Sequence, residues 1–245
     1  MHSEMVQLLG EFIGTFVLIL LGNGGVSGVV LKKTKATGAG WIAITLGWGF
    51  AIMMGVYVSG FMSPAHLNPA VTIAMALIGS FSWGMVVPYI IAQMLGAMVA
   101  SIVLYLMYLP HYKETEEPAD ILGTFATGPA IRNNFSNVFS EIVGTAMLVI
   151  AILAFGQYDI TQTSGVSPML VGAIITAIGL SLGATTGYAL NPARDLGPRI
   201  MHAILPIEGK GDSDWSYAWI PIVGPIIGGG LGAILFQAVI NFVAK

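Results

Sequence analysis

Two stretches of this chain begin with the same triplet and are too short for their surroundings. Asn68-Pro69-Ala70 and Asn191-Pro192-Ala193 each open an apolar run, reaching about Ile78 and Ala203, in sequence that is apolar on both sides. Asparagine is a favoured helix N-cap, and proline fits the first helical turn because its missing N–H would have no partner there. Each triplet therefore reads as a helix start. About ten to twelve residues of helix rise about 15–18 Å, roughly half of a hydrocarbon core about 30 Å thick. Two such pieces meeting end to end make one crossing, and they need a protein wall around them.

The rest of the chain supplies that wall. Of its 245 residues, 56% are hydrophobic and only 9% are charged, with a mean hydropathy of +0.83. A soluble domain carries about 25% charged residues, so the surface here faces something apolar. Long apolar runs recur at roughly 5–31, 40–60, 85–109, 136–155, 169–187 and 216–244. Each is long enough to span a bilayer, and six crossings put both termini on one side. Met1 to Gln7 has no lysine or arginine, unlike a secretory signal, so the first run reads as a retained helix. The net charge of −3 comes without a basic cluster, which argues against nucleic acid, and the absence of cysteine removes disulfides and thiolate metal sites.

The chain also repeats. Glu11-Phe-Ile-Gly14-Thr15 matches Glu141-Ile-Val-Gly144-Thr145, and Gln93-Met-Leu-Gly96-Ala97 loosely matches Pro225-Ile-Ile-Gly228-Gly229. The Asn-Pro-Ala triplets fall at corresponding points. Residues 5–109 and 135–244 thus form two repeats of three crossings, joined by a polar linker at 110–134, all within one domain over 1–245. An odd number of crossings turns the second copy upside down. Inverted repeats with interrupted helices point to a substrate path near the midplane.

His66-Leu67-Asn68-Pro69-Ala70 together with Asn191-Pro192-Ala193-Arg194 resembles the double signature of the major intrinsic proteins, the aquaporins and glycerol facilitators. The resemblance covers nearly the whole chain. It implies an all-α membrane protein: an aquaporin-like bundle of six transmembrane helices plus two half-helices, arranged as an inverted repeat and assembled as a homotetramer. Asn68 and Asn191 are then either helix caps only, or caps that also aim an amide donor at a permeating oxygen. Arg194 is costly in an apolar setting unless it faces water or pairs with Asp195. By resemblance it is the arginine of the outer constriction, with Trp48, Gly179 and Tyr188 as the other walls.

That ring bears on the solute. Two aromatic faces beside a guanidinium suit a carbon chain carrying hydroxyls, and Gly179 is expected to leave room where water-selective members usually place histidine. Asp195, Arg199 and Pro221-Ile222 also resemble the glycerol-facilitator branch. Tyr188 departs from the phenylalanine common there, so its hydroxyl either narrows the slot or adds a donor. Without the resemblance, a Trp or Tyr on an apolar helix reads as lipid-facing or packed.

Glu11 and Glu141 stand at equivalent points as buried carboxylates. They read either as a proton relay or as acceptors that fix the backbone of the half-helix loops. His66 is expected to support the loop before Asn68 rather than bind metal, since His2, His111 and His202 form no ligand spacing with it. The Gly224, Gly228, Gly232 ladder suits close helix contact, within the bundle or between subunits. The loop cations Lys32, Lys33, Lys35, Lys113, Arg132 and Lys210 would by the positive-inside rule put loops one, three and five in the cytoplasm, whereas the resemblance puts the termini there, with Lys245 the sole cation they hold.

These features imply a passive channel for glycerol, water and other small neutral solutes in a bacterial plasma membrane, multi-pass in the lipid bilayer, with no cofactor, no metal and no enzymatic reaction. A water-selective aquaporin is the alternative. A proton-coupled transporter would need a titratable group in the path, where only Arg194 is found.

Overall fold

The computed structural model describes residues 2–244, apart from the side chain of Gln162; Lys245, and Met1 of the expected domain, lie outside the described residues. The first repeat consists of α1 (Glu4–Val30), α2 (Gly40–Ser59), the half-helix α3 (Pro69–Leu77) and α4 (Trp83–Lys113). A short helix α5 (Pro118–Gly123) lies in the linker. The second repeat consists of α6 (Asn134–Phe155), a one-turn α7 (Asp159–Thr163), α8 (Ser167–Ser181), the half-helix α9 (Pro192–Ile204) and α10 (Ile220–Val243). No strand occurs among the described residues.

Five of the long helices are apolar enough along their length to cross a bilayer. The fifth crossing differs from its expected span of 169–187. α8 has 15 residues, which rise about 22 Å, and a 3-10 turn at Gly183–Thr185 continues the path. The glycines at 183 and 187 explain the break, because the chain turns there into the loop that leads to Asn191. At the other boundary, α4 runs past Leu109 through Pro110 to Lys113. A proline so near a helix end costs one hydrogen bond and the helix continues past it.

The helices close on one another through glycine. In α4, a Cβ on Gly96 would lie 2.4 Å from the Phe12 carbonyl oxygen of α1; in α10, a Cβ on Gly228 would lie 2.2 Å from the Ile142 carbonyl oxygen of α6. These are matching contacts in the two repeats. Gly224 and Gly232 also meet α6, at Glu141 and Ala146, so the ladder works inside the bundle. We expect Gly228→Val to abolish the folded protein, since a backbone carbonyl cannot give way as a side chain can. Yield and a monodisperse profile in detergent check this; a normal yield would mean that α6 and α10 can separate.

Each half-helix packs on the last helix of the other repeat, α3 on α10 and α9 on α4. The repeats are therefore interlocked. The outer surface is apolar: Phe50, Leu106, Leu235 and Phe242 are more than half exposed. Four of the loop cations at the end of the bundle opposite the termini, Lys32, Lys33, Arg132 and Lys210, are engaged locally. Lys33 lies 2.5 Å from Glu114 and Lys32 4.0 Å from Asp120. Lys210 Nζ donates to the carbonyls of His202, Ala203 and Leu205, closing the C-terminal end of α9. Arg132 pairs with Asp214. Burial alone would raise the Asp214 carboxyl, but hydrogen bonds from Arg132 and Ser216 hold it below the ordinary aspartate value.

Candidate functional site

The half-helices start as their sequences dictate. Asn68 Oδ1 accepts the Ala70 N–H at 2.8 Å; Asn191 Oδ1 accepts the N–H groups of Ala193 and Arg194 at 3.0 and 3.2 Å. Pro69 and Pro192 occupy the first turns. Each cap also reaches across the repeat interface: Asn68 Nδ2 donates to the Leu190 carbonyl, and Asn191 Nδ2 to the Leu67 carbonyl, both at 2.8 Å. An amide nitrogen carries two hydrogens. One is spent on this cross-link, which leaves one on each asparagine, and both residues line the same small cavity.

The loops before the triplets share an unusual backbone. Ala65 and Leu67 in the first, and Tyr188 and Leu190 in the second, have φ of 52°, 51°, 37° and 53°. These left-handed conformations are disfavoured for residues with a Cβ and persist only where the surroundings impose them. The buried carboxylates do so. Glu11 accepts from the N–H groups of His66 and Leu67, the Ser63 hydroxyl and Gln93 Nε2, at 2.8–2.9 Å. Glu141 accepts from the N–H groups of Ala189 and Leu190 and the Thr186 hydroxyl, at 2.7–3.0 Å. Ser63 and Thr186 stand at the same distance before their asparagines. Gln93 has no counterpart in the second repeat, where Pro225 takes the matching position. Both carboxylates spend their oxygens on the loops. His66 adds a contact from its Nδ1 to Thr72 Oγ1 in α3, at 3.2 Å, beyond the asparagine rather than before it.

Asp195 does not pair with Arg194. Its carboxylate takes Arg199 Nε at 2.8 Å and the backbone and hydroxyl of Thr127 at 2.7 and 2.6 Å. Arg199, fully buried, also donates to the carbonyls of Thr127, Ser213 and Asp214. This network fastens the linker and the loop after α9 to the half-helix. Thr127 was not among the residues expected from sequence, and it carries no signal in a polar linker. Arg199 stands four residues from Asp195, one helical turn away, and that spacing could have revealed the pair.

Arg194 therefore makes no salt bridge among the described residues. Its guanidinium carbon lies 4.1 Å over the Trp48 ring, and Nη1 is buried without a partner. Trp48, Tyr188, Arg194, Asn68 and Asn191 line a cavity of about 30 Å³, room for about one or two waters. A second cavity, about 210 Å³, adjoins it and is lined by Ile52, Val56, His66, Asn68, Leu148 and Ile175. Gly179 does not leave open space. A Cβ there would meet Thr45 Cγ2 at 2.5 Å and Tyr188 Cζ at 2.8 Å. The tyrosine ring has taken the room, and its hydroxyl is buried without a hydrogen-bond partner.

The Major intrinsic protein family matches residues 2–236. Glycerol uptake facilitator protein 3 of Lactiplantibacillus plantarum is 60% identical over 95% of this chain and 96% of its own length. The glycerol uptake facilitator protein of Streptococcus pneumoniae is also 60% identical, over 95% of this chain and 99% of its own. Among solved structures, the aquaglyceroporin from Plasmodium falciparum superposes with a TM-score of 0.85 at 33% identity, covering 97% of both chains.

Proposed function

The chain belongs to the major intrinsic protein family, and on that premise we propose that it is a passive channel conducting glycerol, water and other small neutral solutes. It works in this reading as a single channel domain, a homotetramer in a bacterial plasma membrane with its termini in the cytoplasm, and it catalyses no reaction. The observation that carries the proposal is the pair of cross-bonded asparagines, each with one N–H to spare, beside an arginine that makes no salt bridge among the described residues.

Facing half-helices present their partly positive N-terminal ends at mid-membrane, and together with Arg194 they oppose cations. This mode of exclusion is a known general property of aquaporin-type pores, not a result peculiar to this geometry. A neutral hydroxyl instead exchanges one hydrogen bond for another, from Arg194 Nη1 to the asparagine amides. The carbon backbone needs an apolar face. Trp48 offers one once the guanidinium moves off it, and a cation–π contact of about 0.5–2 kcal/mol is weak enough to break at each passage. Trp48, Gly179, Tyr188 and Arg194 form the selectivity filter in this reading. The triplets at 68–70 and 191–193 set the midplane, with Glu11, Glu141, His66 and Asp195 as supports.

Stopped-flow light scattering on proteoliposomes tests this. Vesicles shrunk in glycerol should re-swell fast and with weak temperature dependence, unlike vesicles in an impermeant sugar. The filled space over Gly179 favours the second reading, a water-selective channel; fast shrinkage without re-swelling would establish it. Arg194→Val should admit protons or cations while water flow persists, read as decay of an imposed pH gradient; an unchanged gradient would place the charge barrier elsewhere.

A further inference from the structure

Next to Trp48 on α2 lies a second layer of side chains. On α2, Trp41, Thr45 and Trp48 follow at helical spacings of four and three residues, which places them on one face. Of the three, only Trp48 lines the small cavity. Trp41 Nε1 donates to the Gly179 carbonyl at 3.0 Å, tying α2 to α8 at the glycine where the Tyr188 ring rests. The Trp41 ring meets Tyr188 edge-on at a centroid distance of 5.6 Å. Thr45, fully buried, fixes its hydroxyl on the Trp41 carbonyl at 2.8 Å, which leaves its methyl toward Gly179, in the space that Tyr188 Cζ and Oη also border.

The other side of the ring is a bed of two glycines. A Cβ on Gly183 would lie 2.5 Å from Tyr188 Cδ1 and 3.2 Å from Trp41 Cζ2. The backbone of Tyr188 is left-handed, with φ 37°. The Thr45 hydroxyl lies near the Tyr188 hydroxyl, but no aligned hydrogen bond reaches that oxygen. Packing holds the ring, between the glycines, the Thr45 methyl and the Trp41 edge.

We propose that Trp41 and Thr45 are positioning residues that set the width of the constriction by holding Tyr188 in the pocket over Gly179 and Gly183. The inference rests on the reading of Trp48, Tyr188 and Arg194 as the filter. Removing the Thr45 methyl lets the hydroxyl end of the ring sink toward α2, and the slot opens. A larger apolar group at 45 pushes the ring into the lumen, and the slot narrows while single-file water still passes.

The test compares wild type, Thr45→Ala and Thr45→Leu in proteoliposomes at equal protein content, reading water, glycerol and the five-carbon polyol xylitol. For Thr45→Ala we expect the xylitol-to-glycerol permeability ratio to rise about tenfold, the discrimination that one methylene in a fitted pocket provides. For Thr45→Leu we expect glycerol to fall about tenfold relative to water. Both ratio changes should vanish in a Tyr188→Ala background, as coupling through the ring requires. A merely structural role would lower all three fluxes together and would survive in that background, and either result overturns the proposal. The wild-type arm judges the channel reading separately. If wild type passes water without glycerol, that reading fails, while the appearance of glycerol flow in Thr45→Ala still supports the positioning role and its absence overturns it.

Discussion

Glu141→Leu should yield a protein without solute or water flow, and with little folded material in the membrane. Three donors, from Thr186, Ala189 and Leu190, lose their acceptor at once. Each buried donor left unpaired costs about 1–3 kcal/mol, so the sum is about 3–9 kcal/mol, against a net stability of about 5–15 kcal/mol. The left-handed residues Tyr188 and Leu190 would relax, and the Leu190 carbonyl that holds Asn68 would move with them. Glu141→Gln is the graded control. Its oxygen can keep the Thr186 and Ala189 bonds, while its amide nitrogen faces the Leu190 N–H, so one bond is lost rather than three. Flux per folded protein in the two variants checks the order. Full activity in Glu141→Leu would mean that the loop holds its shape unaided, and a loss of proton coupling alone would point to the relay that the sequence left open.

Gly179→His should reduce glycerol flow at least about tenfold more than water flow. The reason is not the one that the sequence suggested. A Cβ at 179 falls within 2.9 Å of Thr45 Cγ2 and of Tyr188 Cζ and Oη, so the new side chain displaces the tyrosine into the lumen before its own ring narrows anything. Gly179→Ala should therefore show much of the same effect, which an open wall would not. Solute re-swelling and osmotic shrinkage in the same vesicles separate the two fluxes. Equal losses of glycerol and water would remove Gly179 from the constriction.

What the sequence disclosed follows from which signals are local. The starts at Asn68 and Asn191 were legible because cap and proline are adjacent in the chain and their chemistry needs no partner elsewhere. Glu11 and Glu141 were legible through the repeat, although their donors were not: Gln93 is three helices further along the chain from Glu11, and the alignment that set it against Pro225 gave no sign that it bonds a carboxylate. Of the partners of Asp195, Arg199 stands one turn along the helix, but Thr127 sits in the linker, where one threonine looks like any other. Arg194 was recognised as a costly charge, yet its stacking on Trp48 is a matter of rotamer and had no trace in the sequence.

The second layer stayed hidden for a different reason. A helix between lipid and a narrow path is apolar all round, so α2 gives no periodic contrast to tell its inner face from its outer one. Trp41 and Phe50 look alike in the sequence, but one ties α8 to α2 and the other is exposed on the outside. The break in α8 was missed on similar grounds. Gly183 and Gly187 sit in a run whose hydropathy continues across them, and only the tyrosine folded onto Gly183 shows why a side chain was not tolerated.

The two hydrogen bonds from Asn68 to Leu190 and from Asn191 to Leu67 have a mechanical consequence. Carriers built from inverted repeats work by rocking one repeat against the other about a central site. Here that fulcrum is stitched shut in both directions, and each half-helix is clasped by the opposite repeat. Rocking of one repeat against the other would have to break both bonds. Transport by this frame involves no stroke and no reset, so flow should rise in proportion to the solute gradient and show no turnover ceiling.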